Sequence, residues 1–592
     1  TTKKHKQYDH NTHKIVCTYL LSLTNHIMGK KSKRPISSTT TTNNKTNSKN
    51  GDEPGNKLKS PKSKERRMDE EVETKDNLRF EDPFEDEFEE VEEEEAEEEN
   101  ETGMEEEEDN DGNSSNKMQS WNPLTHEPLA SDQRLEIDET AYKMHHSLTP
   151  EWPSLSFDFL QDSLGNNRTR FPHSLIAAVG SQADRKDRNR LTIVKMSDLG
   201  RSAGAKTEKE MEDDLLGEEF DKNAEEDIEE DSDEEEEEEE NDDVYDLDPV
   251  LEHFNLNHTG GVNRVRAMPQ NPEVVATWSD EGIVNLFDVG PILEMFEKSS
   301  SSTTLTADKD KPSSKKTRKI KKDPFFVYSG HSTEGYALDW SRTKMGQLAT
   351  GDCAGHIHIW DPMHDLSTST TTKSSNHSSI WNNSTFRVEN VYAPTNGDNI
   401  DNPSIEDLQW SPTEGTVLAA AECGGYVRIY DTRCKGKPML SKKVHENSAD
   451  VNVMSWNPIV SNLLATGGDD GAFTVWDLRN FQSTPNQPLA RFTCHRQPIT
   501  SLEWHPTDES MIVVSDEDGT YVYDLSIEED EDQAEYNQNR SEDDPYGDIP
   551  PQLLFVHCGS QSTKEVHWHP QVTSLIMTTA LSGYSVFIPS NL

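Results

Sequence analysis

The side chains best suited to chemistry in this chain of 592 residues are a few histidines and cysteines and a great many carboxylates. His557, His567 and His569 have the donor type of a zinc site, in which neutral imidazoles are common ligands. Each, however, coincides with the start or the turn of a recurring unit, so no metal is expected. Cys353 and Cys423 lie among small residues, with no basic neighbour in sequence to generate a nucleophilic thiolate. The acidic runs lack the spaced ligands and turn glycine of a calcium loop. No Gly-rich phosphate-binding segment occurs. No cofactor is expected, and the chain reads as a non-enzymatic binding protein.

Charge supplies the positive signal. The 113 Asp and Glu against 58 Lys and Arg leave a formal charge of -55. Such a surface repels nucleic acid and anionic membrane, so neither is an expected partner and a basic protein client is. The carboxylates form three tracts, Asp69 to Asp111, Glu208 to Asp248 and Glu528 to Asp532. Runs of like charge stay extended and solvated. Glu234, Glu235, Glu236, Glu237 and Glu238, with Asp543, Asp544 and Asp548, are the expected capture residues. Ser232, set between Asp231 and Asp233, suits an acid-directed kinase, and phosphate there would add further charge. Upstream, Lys57, Lys59, Lys62, Lys64, Arg66 and Arg67 form a basic cluster of the kind nuclear import receptors bind. Six scattered cysteines without a C-x-x-C pair fit a reducing compartment. No apolar run approaches the roughly 18 to 20 residues of a membrane span. Met28 is the expected translation start, and the protein is expected to be a monomer.

These groups must be carried by a framework, and the sequence repeats one. A histidine is followed about 30 residues later by an aromatic-Asp pair in four units: His258 to Phe287-Asp288, His331 to Trp360-Asp361, His445 to Trp476-Asp477 and His495 to Tyr523-Asp524. A fifth unit ends at Tyr430-Asp431, and a sixth runs from His557 to Phe587. Inside the units, short alternating stretches of strand type flank turns such as Trp410-Ser411-Pro412, Trp456-Asn457-Pro458, Trp504-His505-Pro506 and Trp568-His569-Pro570. This pattern resembles the WD-repeat family, in which each unit is a four-stranded propeller blade. Trp152 to Leu160 with Ser174 to Met196 supplies a seventh blade. In that family a His, a Ser or Thr, an Asp and a Trp bond within a blade; His445, Thr466, Asp470 and Trp476 are a full set, and the other units hold only part of one.

The expected fold is therefore all-β, a seven-bladed WD-repeat β-propeller with a short N-terminal helix and disordered acidic tails and loops. Residues 1–130 are expected to be disordered, 131–150 to form the helix and 151–592 the propeller, its N- and C-terminal strands paired to close the ring. Inserts at 197–249 and 526–549 (acidic), 297–323 (basic) and 365–404 (polar) fall in loops, where they cost little folding free energy.

A narrower resemblance rests on Tyr142-x-Met144, on Glu151-Trp152-Pro153-Ser154-Leu155-Ser156-Phe157-Asp158 and on Pro550-Pro551-x-Leu553-Leu554-Phe555. These are similar to the histone-binding WD proteins, in which an N-terminal helix and a Pro-Pro loop grip a histone helix. The acidic tracts, Glu334 to Trp340, Asp450 to Trp456 and the His567-Trp568-His569-Pro570 ending resemble the glutamate-rich branch more closely. That resemblance implies a nuclear and nucleolar ribosome biogenesis factor that escorts a basic large-subunit protein, universal large-subunit protein three. Its groove would be Leu135, Ile137, Tyr142, Met144, Pro550, Pro551, Leu553, Leu554 and Phe555. Two alternatives stand beside it: a histone-binding chromatin factor, and a ubiquitin-ligase substrate adaptor using Arg433 and Arg479 after their aromatic-Asp pairs. Gln552 departs from the histone binders, which carry an acid there.

Overall fold

The computed structural model describes residues 14–17, 79–80, 119–126, 134–202, 248–301, 319–362, 386–392, 403–434, 436–482, 487–528 and 549–592. Six four-stranded sheets and one five-stranded sheet make a seven-bladed propeller. Blade 1 is Phe157–Phe159, His173–Gly180, Arg190–Leu199 and Val250–Asn257. Blades 2 to 6 begin with Val262–Ala267, Ala337–Trp340, Ile405–Trp410, Val451–Trp456 and Ile499–Trp504. Blade 7 joins Thr563–Trp568, Ile576–Ala580 and Tyr584–Pro589 to a strand from far upstream, Tyr142–Thr149. The first strands of successive blades lie side by side and form the inner wall.

The expected helix at 131–150 is corrected. The chain there runs as a strand, Arg134–Ile137, then a single 3-10 turn, Glu139–Ala141, then Tyr142–Thr149. Asp138 caps the turn, its carboxylate accepting from Thr140 N–H at 3.0 Å. Tyr142, Met144 and Leu148 alternate with more exposed residues and are buried, a period-two pattern that serves a strand. Tyr142–Thr149 pairs antiparallel with Tyr584–Pro589, and that ladder closes the ring. The propeller therefore starts at Tyr142 rather than 151. The boundary at 130 also falls late, because Trp121 to His126 pack on the ring, with Leu124 buried. Two inserts are shorter than expected: helix Gly290–Ser301 overlaps the basic one, and Phe386–Tyr392, the fourth strand of blade 3, lies within the polar one.

Neighbouring blades are joined by a repeated device. A polar side chain on one inner strand accepts a backbone N–H from the next: Asp158 from Ala267 at 2.8 Å, Asp339 from Trp410 at 2.7 Å, Gln409 from Trp456 at 2.7 Å and Glu503 from Trp568 at 2.9 Å. Glu565 completes the circle by accepting from Phe157 N–H at 2.8 Å. The turn tryptophans explain their own spacing, since the indoles of Trp340, Trp504 and Trp568 donate back to Arg266, Ser455 and Glu503 carbonyls.

The intrablade set in blade 5 forms as expected, with His445 bonded to Asp470 at 2.8 Å and Thr466 at 3.1 Å, and Trp476 donating to Thr466. Blade 3 holds a second full set that the spacing does not reveal: His331 meets Asp352 at 3.0 Å and Thr350 at 2.8 Å, and Trp360 donates to Thr350. Its Asp lies two residues past the Thr instead of four, yet reaches the same ring nitrogen.

Candidate protein-binding surfaces

The expected groove divides in two. Tyr142, Met144, Leu553 and Phe555 are buried: Tyr142 and Phe555 in the seam between blades 6 and 7, Met144 between blades 7 and 1, and Leu553 between blades 5 and 6. Tyr142 OH meets His557 Nδ1 at 2.9 Å, and its ring stands edge-on to Phe555 and Phe587. These four are corrected from client contacts to core: a client could reach them only by parting the blades. Ile137 is 44% exposed, while Leu135, Pro550, Pro551 and Leu554 are half-buried, so a shallow apolar strip remains on the rim. Gln552 has a structural duty there, its Nε2 donating to Ile527 carbonyl at 2.7 Å across the base of the acidic insert. An acid in its place could not donate that bond.

Ser232, Glu234 to Glu238, Asp543, Asp544, Asp548 and the basic cluster Lys57, Lys59, Lys62, Lys64, Arg66 and Arg67 lie outside the described residues. Among the described residues no group of three or more metal-ligating side chains gathers. His557, His567 and His569 have separate duties: the first binds Tyr142, the second sits between Glu503 and Glu565, and the third accepts the Gln571 and Val572 N–H groups.

A second surface, which the sequence does not single out as a site, sits where the inner strands of blades 3 and 4 begin. Gly335 admits the close approach of chain there, because a Cβ would collide with Gly351 carbonyl and stand 2.6 Å from the Trp278 indole nitrogen. Glu334 and Tyr336 flank this glycine. Asn263 donates to Glu334 at 3.2 Å and to Gly335 carbonyl at 3.3 Å, and Arg264 Nε donates to Tyr336 carbonyl at 2.7 Å. On the next blade Glu406 takes, among the described residues, only a thiol donor, Cys423, at 3.2 Å. Burial, then the charges of Glu334, Cys353 and Glu406, push the Tyr336 phenol up to about 12. Burial and the same Glu406 push the Cys423 thiol far above its ordinary value, which removes it as a nucleophile at neutral pH. Two half-buried carboxylates beside an aromatic ring, held by neutral donors, suit an arginine or lysine side chain.

Arg433 and Arg479 each fold back on the Asp two residues before, Nε to carboxylate at 2.9 and 3.0 Å. Both side chains are 72% exposed, so a local clamp and not packing between blades holds them.

The fold is that of a WD-repeat propeller whose ring is closed by an upstream strand. Residues 132–199 match the family of the histone-binding protein RBBP4 and its counterpart in the CAF1 complex, and 486–523 match the WD domain, G-beta repeat. The ribosome assembly protein rrb1 of Schizosaccharomyces pombe is 35% identical over 82% of this chain and 87% of its own length. The glutamate-rich WD repeat-containing protein 1 of Dictyostelium discoideum is 37% identical over 81% and 87%. Protein HEAT STRESS TOLERANT DWD 1 of Arabidopsis thaliana is 35% identical over 80% and 91%. The chain belongs to this glutamate-rich WD-repeat family.

Proposed function

We propose that the protein is a ribosome biogenesis factor of the nucleus and nucleolus that escorts a newly made basic large-subunit protein, universal large-subunit protein three. The observation that carries this reading is the Glu334, Tyr336 and Glu406 cradle on a chain of charge -55, whose carboxylates form no ion pair among the described residues and so accept a cationic side chain. The kinship with a ribosome assembly protein supports a role in ribosome assembly. Acidic groups shield the client from misplaced RNA contacts, while the rim strip of Ile137, Leu135, Leu554 and the two prolines supplies apolar register. No covalent chemistry is required. The histone-binding match over 132–199 supports a second reading, a histone-binding chromatin factor, through the same cradle.

Purification of the protein from nuclease-treated cell extract, with identification of stoichiometric partners, separates the two. A large-subunit ribosomal protein is the expected partner. Recovery of core histones with no ribosomal protein would overturn the first reading in favour of the second.

A further inference from the structure

At the ends of the inner strands opposite the cradle, the first turns of blades 7 and 1 pack together. The blade 7 turn follows Trp568, and His569 Nδ1 accepts the Gln571 and Val572 N–H groups at 3.0 and 2.9 Å. Ser341, Ser411 and Asn457 do the same duty in blades 3, 4 and 5, each accepting an N–H from inside its turn. The turn therefore asks only for one acceptor. An imidazole brings a second nitrogen. With Nδ1 accepting, the proton of the neutral ring sits on Nε2, and that N–H is buried without an acceptor among the described residues, in a side chain 3% exposed. Asn457, by contrast, donates its remaining amide to the Glu509 carbonyl at 3.0 Å.

A second donor of this kind lies beside it. Arg168, in the blade 1 turn, is stitched to blade 7: its N–H donates to Gln571 carbonyl at 2.9 Å, and its carbonyl accepts from Thr573 at 3.0 Å. Its Nη2 meets Asp162 at 2.9 Å, while its Nε–H is buried and has no acceptor among the described residues. The Phe171 ring stands 4.4 Å from the buried His173 imidazole and carries the Arg201 guanidinium over its face at 5.1 Å. Burial, then the charge of Arg168, lowers the His569 pKa to about 3; burial, then Arg168 and Arg201, lowers that of His173 to about 4. Both rings are therefore neutral at neutral pH, and the charges in this corner are two guanidiniums against the one carboxylate of Asp162.

We propose that this corner binds a phosphate monoester carried on a serine or threonine of a partner protein. Guanidinium and imidazole N–H groups suit oxyanion acceptors, and a phosphate offers three oxygens and nearly two negative charges in a compact group. Its oxygens accept from Arg168 Nε–H and His569 Nε2–H. Arg201, half-buried and without an ion pair among the described residues, supplies the attraction at the mouth, and the Arg168 side chain is 16% exposed, which leaves an approach from solvent. A nucleic-acid backbone is the poorer ligand, because a chain of charge -55 repels a long polyanion far more than a single phosphate on a neutral segment. The site is independent of the cationic client and its cradle.

The full chain is titrated with a labelled, otherwise neutral phosphoserine peptide, its unphosphorylated twin and a single-stranded RNA, with inorganic phosphate as competitor. The phosphopeptide is expected to bind, the twin to bind roughly tenfold more weakly or worse, and inorganic phosphate to compete. His569→Asn keeps an acceptor for the turn, as Asn457 does in blade 5, but removes the Nε2–H. Its unfolding midpoint should hold while phosphopeptide affinity falls roughly tenfold. Arg201→Gln should weaken binding and flatten its salt dependence, and it decides the matter if the first variant is unstable. Equal binding of the two peptides, or binding of neither, would overturn the proposal. Affinity unchanged in the folded variants would overturn it as well and leave a corner with a purely structural role. RNA that binds more tightly than the phosphopeptide, and is lost in the same variants, would overturn the choice of a phosphorylated protein in favour of a nucleic acid.

Discussion

Glu565 and Glu406 both sit on innermost strands, yet they face opposite situations. Glu565 is fully buried and holds Arg264 at 2.8 Å, Arg266 at 2.9 Å and the Phe157 N–H. Burial alone would raise its pKa, but Arg266, His567 and Arg264 outweigh that and hold the carboxyl well below the usual range. Glu406 is half-buried and, among the described residues, has only a thiol donor. A propeller wall can thus use one residue type to lock blades together or, in the function proposed for Glu406, to receive a partner, and the supply of nearby cations separates the two. Removing the first should cost stability; removing the second should cost binding.

The largest effect is expected from Glu565→Ala, which strands Arg264, Arg266 and His567 in the wall. Breaking a buried ion pair from one side costs about 3–5 kcal/mol, so chemical denaturation should place the variant that far below the parent. A loss under about 1 kcal/mol would mean that water reaches the network and that the contrast with Glu406 is false.

A pH series sharpens the same side of the contrast. Burial favours the neutral form of His567, but Glu503 and Glu565 overcome it and raise its pKa to about 10. The folded state therefore binds this proton more tightly than the unfolded chain. Its stabilising contribution is fully present below about 6.5 and is lost as pH rises towards 10. The stability difference between the parent and His567→Asn should shrink by on the order of a few kcal/mol across that window. A constant difference would show that His567 is neutral throughout.

On the binding side, Glu334→Gln with Glu406→Gln should leave the denaturation midpoint unchanged and weaken a lysine- and arginine-rich peptide. Charge-assisted bonds contribute about 1.5–3 kcal/mol each, so a loss of at least tenfold is expected, with a shallower dependence on salt. Affinity that holds in this double variant would leave the cradle without a function.

What is legible from the residues follows the same divide. The blade count and the set around His445 can be read because each depends on local spacing: a turn tryptophan, an aromatic-Asp end, a period of about 30 residues. Tyr142–Thr149 misleads because its partner strand lies more than 400 residues away, and no local pattern names a strand whose sheet is completed from the other end of the chain. The groove is overdrawn for a related reason. Tyr142, Met144, Leu553 and Phe555 look like one apolar face in sequence, but they fill three separate seams between blades, two of which exist only once blade 7 has closed. The cradle escapes a reading of the repeats because Glu334 and Glu406 belong to different units, and only the stacking of inner strands brings them to one tyrosine. Glu334-Gly335-Tyr336 is a usable signal, since a glycine between two large polar residues at a strand entrance marks a close backbone approach.

The smallest effect is expected where the pairing resembles that of Glu565 but the burial does not. Arg433 and Arg479 hold Asp431 and Asp477 in a clamp like the one Arg264 and Arg266 make, and the Arg479 hydrogen bonds lower Asp477 to about 2. Both guanidiniums are open to water, which solvates either partner once the other is gone, so Arg433→Ala with Arg479→Ala should leave the unfolding midpoint at neutral pH where it was. What should move is the titration of Asp477, which returns towards the ordinary carboxylate range when followed by NMR. If the midpoint instead dropped as in Glu565→Ala, exposure would not be what separates the two kinds of carboxylate, and the division of the wall into locking and receiving groups would have to rest on geometry alone.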